Sequence, residues 1–231
     1  DSWSQHEQSA IAALHTGDIA TATTHLKVLQ GRFGKDSARV STLHAMVMEA
    51  AGNFAAAEAT YKKILEDNPA NMVAAKRLIV VTRDKLCGKR DSRPAAVKAL
   101  KNYLETFSSD VEAWLELADL HMQDAQYAQA QEALEQCVLC SPLHPTYHTR
   151  LGEVLLAQHK WLPARKHFSA AVHYSDSTNA RALVGLAAAC APKAPVGAGR
   201  TVVAVRAPDA ETSAELRTVA VDKLKELYKV A

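Results

Sequence analysis

The residues of this chain with the most chemical potential lie in one short stretch. Cys137-x-x-Cys140 is followed by His144-x-x-x-His148. Two thiolates and two imidazoles are the ligand set of a structural zinc, and a Cys-x-x-Cys pair also serves thiol–disulfide exchange. The spacing disfavours both. Only three residues separate Cys140 from His144, too few for the loop between the two ligand pairs of a zinc finger. The cysteine pair closes a helical stretch, whereas redox pairs open one and draw reactivity from the helix N-terminus. The preferred reading is two buried cysteines and two surface histidines. Gly197-Ala-Gly199-Arg200 lacks the third glycine and the strand–turn–helix setting of a phosphate loop. There is no Gly-x-Ser-x-Gly, no His-Glu-x-x-His and no Walker lysine. The ten histidines are scattered. The sequence therefore predicts no catalytic residue, no cofactor and no metal, and so no enzyme, because a hydrolase or transferase needs polar groups converging on a pocket.

Any such groups must be positioned by helices. The 231 residues are 48% hydrophobic, with abundant Ala, 9 Gly and 8 Pro. That composition buries a core, excludes wholesale disorder and favours helix over sheet. A net charge of +2 argues against a dedicated nucleic-acid binder, which carries a basic face. Four Cys are too sparse for a secreted disulfide scaffold. The longest small-apolar run, Ala182 to Ala191, has ten residues, about half of the roughly 20 a spanning helix needs. No basic-then-apolar leader opens the sequence, and its start at Asp1 rather than Met reads as a fragment.

Self-similarity sets the architecture. Ala22, Ala57, Ala96, Ala130 and Ala164 recur at intervals of 35, 39, 34 and 34 residues. Four residues after them come Leu26, Tyr61, Leu100, Leu134 and Phe168. A small residue lets a neighbouring helix approach, and the larger one lies on the same face and fills the gap. The extra residues of the 39 interval fall in the loop-like stretch Cys87 to Pro94. Trp114-x-x-Leu117-Ala118-x-x-His121, Ala130-x-x-x-Leu134 and Pro142 follow the pattern of the 34-residue tetratricopeptide unit. Asp110 suits an N-cap, Pro69 and Pro142 stop second helices, and Trp114, Tyr61 and Phe168 are assigned to the core. The predicted fold is all-α: a tetratricopeptide-repeat right-handed superhelix (α-solenoid) of about five helix pairs plus a C-terminal helix. The solenoid spans 1–190. A loop with three Pro and two Gly follows at 191–209, and a capping helix at 210–231 carries Leu216, Val219, Ala220, Leu224, Leu227 and Tyr228 on one face.

The stretch from Ala38 to Ile79 resembles the family of subunit 2 of the endoplasmic reticulum membrane protein complex. So do Ala99 to Leu134, Gln30-Gly31-Arg32-Phe33, and the neighbouring groups Tyr103-Leu104-Glu105 and Glu112-Ala113-Trp114. The resemblance covers roughly residues 10 to 190 and is poor over 191–231. That family usually has more chain upstream. The resemblance implies a non-catalytic scaffold at the cytoplasmic face of the endoplasmic reticulum membrane. It implies sibling subunits as partners, notably three, five and eight, and a complex that inserts tail-anchored and multi-pass membrane proteins. It implies no nucleic acid, and membrane contact that is peripheral, through protein.

In tetratricopeptide proteins, positions two, five, nine and twelve of each unit line the concave face. With units starting at Ala38, Met72, Val111 and Pro145, the predicted partner-binding groove comprises Arg39, Thr42, Met46, Glu49, Lys76, Val80, Arg83, Leu115, Asp119, Met122, Thr149 and Glu153. Val73, Glu112, Thr146 and Leu156 complete the set. This mixture suits a polypeptide, with a few apolar anchors carrying affinity. The alternative is a generic tetratricopeptide adaptor or a co-chaperone gripping an acidic tail. Such clamps place Lys and Asn at positions five and nine, where this chain has Thr42/Met46, Lys76/Val80, Leu115/Asp119 and Thr149/Glu153. Asp119 and Glu153 would repel a tail carboxylate. Lys85, Lys89, Arg90 and Arg93 read as a solvated basic turn, with anionic lipid or an acidic tail as the functional alternative.

Overall fold

Helix-forming residues and recurrent capping signals divide the chain into short rods. The computed structural model describes residues 2–85, 92–191 and 210–228. Among them are twelve helices: α1 (Ser2–Thr16), α2 (Ile19–Phe33), α3 (Ala38–Ala50), α4 (Phe54–Asp67), α5 (Met72–Lys85), α6 (Ser92–Thr106), α7 (Val111–Gln123), α8 (Tyr127–Cys140), α9 (Pro145–Ala157), α10 (Trp161–Tyr174), α11 (Ala180–Ala189) and α12 (Ala210–Tyr228). No strand occurs among the described residues. Each odd-numbered helix packs on the even-numbered helix after it: five pairs, α1 to α10, are followed by α11, on which the C-terminal helix α12 packs. The chain divides into two compact units, Asp1–Ser108 with α1–α6 and Ser109–Ala231 with α7–α12.

The repeated alanines explain the pairing. Ala22, Ala57, Ala96, Ala130 and Ala164 are all buried, as are Leu26, Tyr61, Leu100, Leu134 and Phe168 four residues on. The first helices supply their own small residues, Ala10, Ala45, Ala118 and Gly152, which are also buried. In the first unit Leu26, Leu29, Val40 and Leu43 join α2 to α3, and Tyr61, Ile64, Ala74 and Val81 join α4 to α5. Asp110 caps α7 by accepting from the backbone N–H of Glu112 at 3.1 Å. Pro69 and Pro142 lie just beyond α4 and α8. Trp114, assigned to the core from sequence, is only half-buried. Pro94, assigned to a loop, lies in the first turn of α6, where its missing N–H breaks no helical hydrogen bond. Ser92 and Arg93 of that loop also lie in α6; its residues 87–91 lie outside the described residues, as does 192–209.

Four of the turns within pairs share one geometry. Gly17, Gly52, Ala125 and His159 take φ of 81°, 76°, 55° and 59°. At each, the N–H of the following residue donates to the carbonyl five residues back, as in Asp18 to Ala13 and Gln126 to His121, both at 2.8 Å. This is the Schellman cap, whose left-handed residue is strained unless it is glycine. Replacing the exposed Ala125 with Gly relieves that strain. Ala125→Gly is expected to stabilise the fold by about 1 kcal/mol, read as a raised urea midpoint at unchanged m-value.

Candidate functional site

The register assigned from sequence coincides with the structure: Ala38, Met72, Val111 and Pro145 are the first residues of α3, α5, α7 and α9. Positions two, five, nine and twelve therefore lie on first helices. In the first unit Arg39 and Arg83 are exposed, while Thr42, Met46, Glu49, Lys76 and Val80 are half-buried. In the second, Leu115, Asp119, Met122 and Glu153 are half-buried. Thr149 departs from its assignment. It is buried, donates from Oγ1 to the Pro145 carbonyl at 2.8 Å and accepts from Asn179 Nδ2 at 3.1 Å. Its hydroxyl ties α9 to the start of α11 and offers no surface to a partner.

The charged positions are bound within the chain. Arg39 Nε donates to Glu7 at 2.7 Å, joining α1 to α3, and Arg77 pairs with Glu49 at 3.3 Å, joining α3 to α5. In the second unit Arg150 donates to Asp119 at 2.6 Å, joining α7 to α9, and Arg181 Nη2 donates to Glu153 at 2.6 Å, joining α9 to α11. A carboxylate on one first helix thus meets an arginine on the next at four places. The exposed pairs contribute little stability, but they cancel charge on the face they occupy. Tyr61 reinforces one of them by donating to Glu49 at 3.2 Å. Burial, and then the Glu49 carboxylate, push that phenol above its ordinary range. Glu7, Arg77, Arg150 and Arg181 escaped the sequence reading. The available signal was a carboxylate followed by an arginine 28 to 32 residues later.

Apolar side chains lie beside these ion pairs. In the first unit a cleft of about 460 Å³ is walled by α1, α3 and α5, with Ile11, Thr42, Met46 and Val73 beside the Glu7–Arg39 pair. In the second, Leu115 and Met122 flank Asp119 at helical spacing on α7.

The Cys–His stretch is not a shared site. Cys137 is buried, as expected, and burial pushes its thiol up to about 12, with Cys140 adding to the shift. It remains a thiol, 3.4 Å from the Ala133 carbonyl that accepts from it. Cys140, however, is exposed. It ends α8, off the stripe that carries Ala130, Leu134 and Cys137. His144 is exposed and stacks on Tyr147 at 4.2 Å, but His148 is buried against α10. Among the described residues no group of three or more metal-ligating side chains converges. Lys89, Arg90 and Gly197–Arg200 lie outside the described residues, and Arg93 is exposed on α6.

Paired antiparallel helices with buried small residues at a 34-residue period define a tetratricopeptide-type helical-repeat protein, a class that binds polypeptides. The fold is similar to the C-terminal part of a TPR repeat-containing protein from Cytophaga hutchinsonii (TM-score 0.66, 11% identity, 98% of this chain and 83% of that one). It is also similar to Pseudomonas aeruginosa pilF (TM-score 0.57, 16% identity, 99% and 93%). Residues 9–166 match the EMC2 TPR-like repeat domain, and the chain belongs to that family. It is 36% identical over 190 residues to ER membrane protein complex subunit 2 of Xenopus tropicalis, covering 80% of this chain and 61% of that protein. To the TPR repeat protein oca3 of Schizosaccharomyces pombe it is 33% identical over 177 residues, covering 76% and 60%. The chain thus spans about three-fifths of the length of these relatives. No described helix is long and apolar enough to cross a membrane.

Proposed function

We propose that this chain is a non-catalytic scaffold subunit of the endoplasmic reticulum membrane protein complex. It sits at the cytoplasmic face of that membrane and supports insertion of tail-anchored and multi-pass proteins by holding sibling subunits. The observation that carries the reading is the family match over residues 9–166. The chemistry of the first-helix faces agrees with it. Their carboxylates are paired to arginines, leaving Thr42, Met46 and Val80 in one unit and Leu115 and Met122 in the other to meet a partner polypeptide. Subunits three, five and eight are the partners that the resemblance names.

The co-chaperone reading fares worse on the same geometry. A tail carboxylate needs cations committed to it, and Arg77, Arg150 and Arg181 are already held by Glu49, Asp119 and Glu153. Affinity purification of the tagged chain from cells in mild detergent, followed by protein identification, separates the two. Co-recovery of the membrane complex's other subunits supports the scaffold; recovery of cytosolic chaperones in their place supports the clamp.

A further inference from the structure

Two histidine pairs occupy equivalent places in different repeats. His6 of α1 faces His25 of α2 with Nδ1 to Nδ1 at 2.9 Å, and His148 of α9 faces His167 of α10 with Nδ1 to Nδ1 at 3.0 Å. Both pairs are nineteen residues apart in sequence, and both join a first helix to its own second helix. In the second pair the proton positions follow from the partners. His148 Nε2 lies 2.7 Å from the Pro142 carbonyl, which only accepts, so that nitrogen carries a proton. In its neutral form His148 then presents a bare Nδ1, and His167 must donate from its own Nδ1.

We propose that the His148–His167 pair is a proton-counting latch. It closes its helix pair while the two rings carry two or three protons between them and opens when a fourth arrives. A third proton goes on His167 Nε2 and leaves the Nδ1–H···Nδ1 bond in place. A fourth must go on His148 Nδ1, where it meets the His167 N–H at 3.0 Å. His148 is 7% exposed, so a charge on its ring is poorly solvated.

The surroundings permit this. On α8 the Glu135 carboxylate acts on His167 and favours its charged form, but burial first and His148 second hold His167 below its ordinary value. On α10 Tyr174 lies 5.5 Å from the His148 ring. The one ionisable side chain of α11, Arg181, is engaged by Glu153.

The sign is fixed by linkage. A histidine depressed in the folded state binds fewer protons than the unfolded chain as pH falls below about 6.5, so folding loses stability there. The test compares thermal melts of the whole chain between pH 7.5 and 5.0, with EDTA present, for wild type and the His167→Gln variant. Glutamine keeps an N–H donor toward the remaining ring but takes up no proton. The wild type is expected to lose about 5 °C more than the variant across that range. Parallel curves overturn the proposal. Should the variant not fold, nitrogen-15 NMR of the wild-type imidazoles decides. His148 protonated only at Nε2 at pH 5.5 supports the latch; a His148 ring carrying both protons in the folded chain overturns it.

Discussion

Replacing Phe168 with Ala lowers the stability of the fold by about 3–5 kcal/mol, the range for deleting a fully buried aromatic ring. The ring is completely buried and sits between two glycines that leave room for it. A methyl group built on Gly185 of α11 would lie 2.2 Å from Phe168 Cε1, and one on Gly152 of α9 would lie 2.9 Å away. Phe168 of α10 thus packs against first helices on both sides. The reciprocal change, Gly185→Ala, forces the ring or helix α11 to move and costs about 1–3 kcal/mol. Combining it with Phe168→Leu should cost less than the sum of the single changes, because the smaller side chain yields the space. Urea denaturation of the four proteins checks this, and a neutral Gly185→Ala would show that the ring does not fill the gap.

Ala130→Trp is the second large effect. Ala130 is completely buried on α8, beside α7, with Leu134 one turn on. An indole needs far more room than the methyl of a fully buried alanine, so the helix pair must separate. A cost of about 3 kcal/mol or more is expected, at the upper end for overpacking. A melting temperature equal to that of the wild type would place Ala130 outside the helix–helix contact.

The alanine period made the pairing legible in the sequence, because each unit repeats the same packing problem with the same residue types at one spacing. What stayed hidden depends on neighbours from other units. Thr149 looks like a lining residue at position five, but Asn179, thirty residues on, draws its hydroxyl inward. Arg39, Glu49, Asp119 and Glu153 look like free recognition charges until Glu7, Arg77, Arg150 and Arg181 arrive from adjacent repeats. The histidine pairs follow no local motif, because their partners lie across the helix pair at nineteen residues. Helix α12 was legible from its own apolar spacing, but its packing on α11 was not, because residues 191–209 carry no repeat signal.

We propose that first-helix faces hold partner polypeptide through apolar anchors. Leu115 and Met122 of α7 test it most directly, being half-buried and set on either side of the Asp119–Arg150 pair. Desolvating a carboxylate at an interface costs several kcal/mol, whereas at a wetted surface it costs little. The Leu115→Asp/Met122→Asp protein should therefore keep the helical circular dichroism of the wild type and lose at least tenfold in recovery of the endoplasmic reticulum complex subunits by affinity purification. A folded double variant that recovers those subunits at wild-type yield would contradict the account.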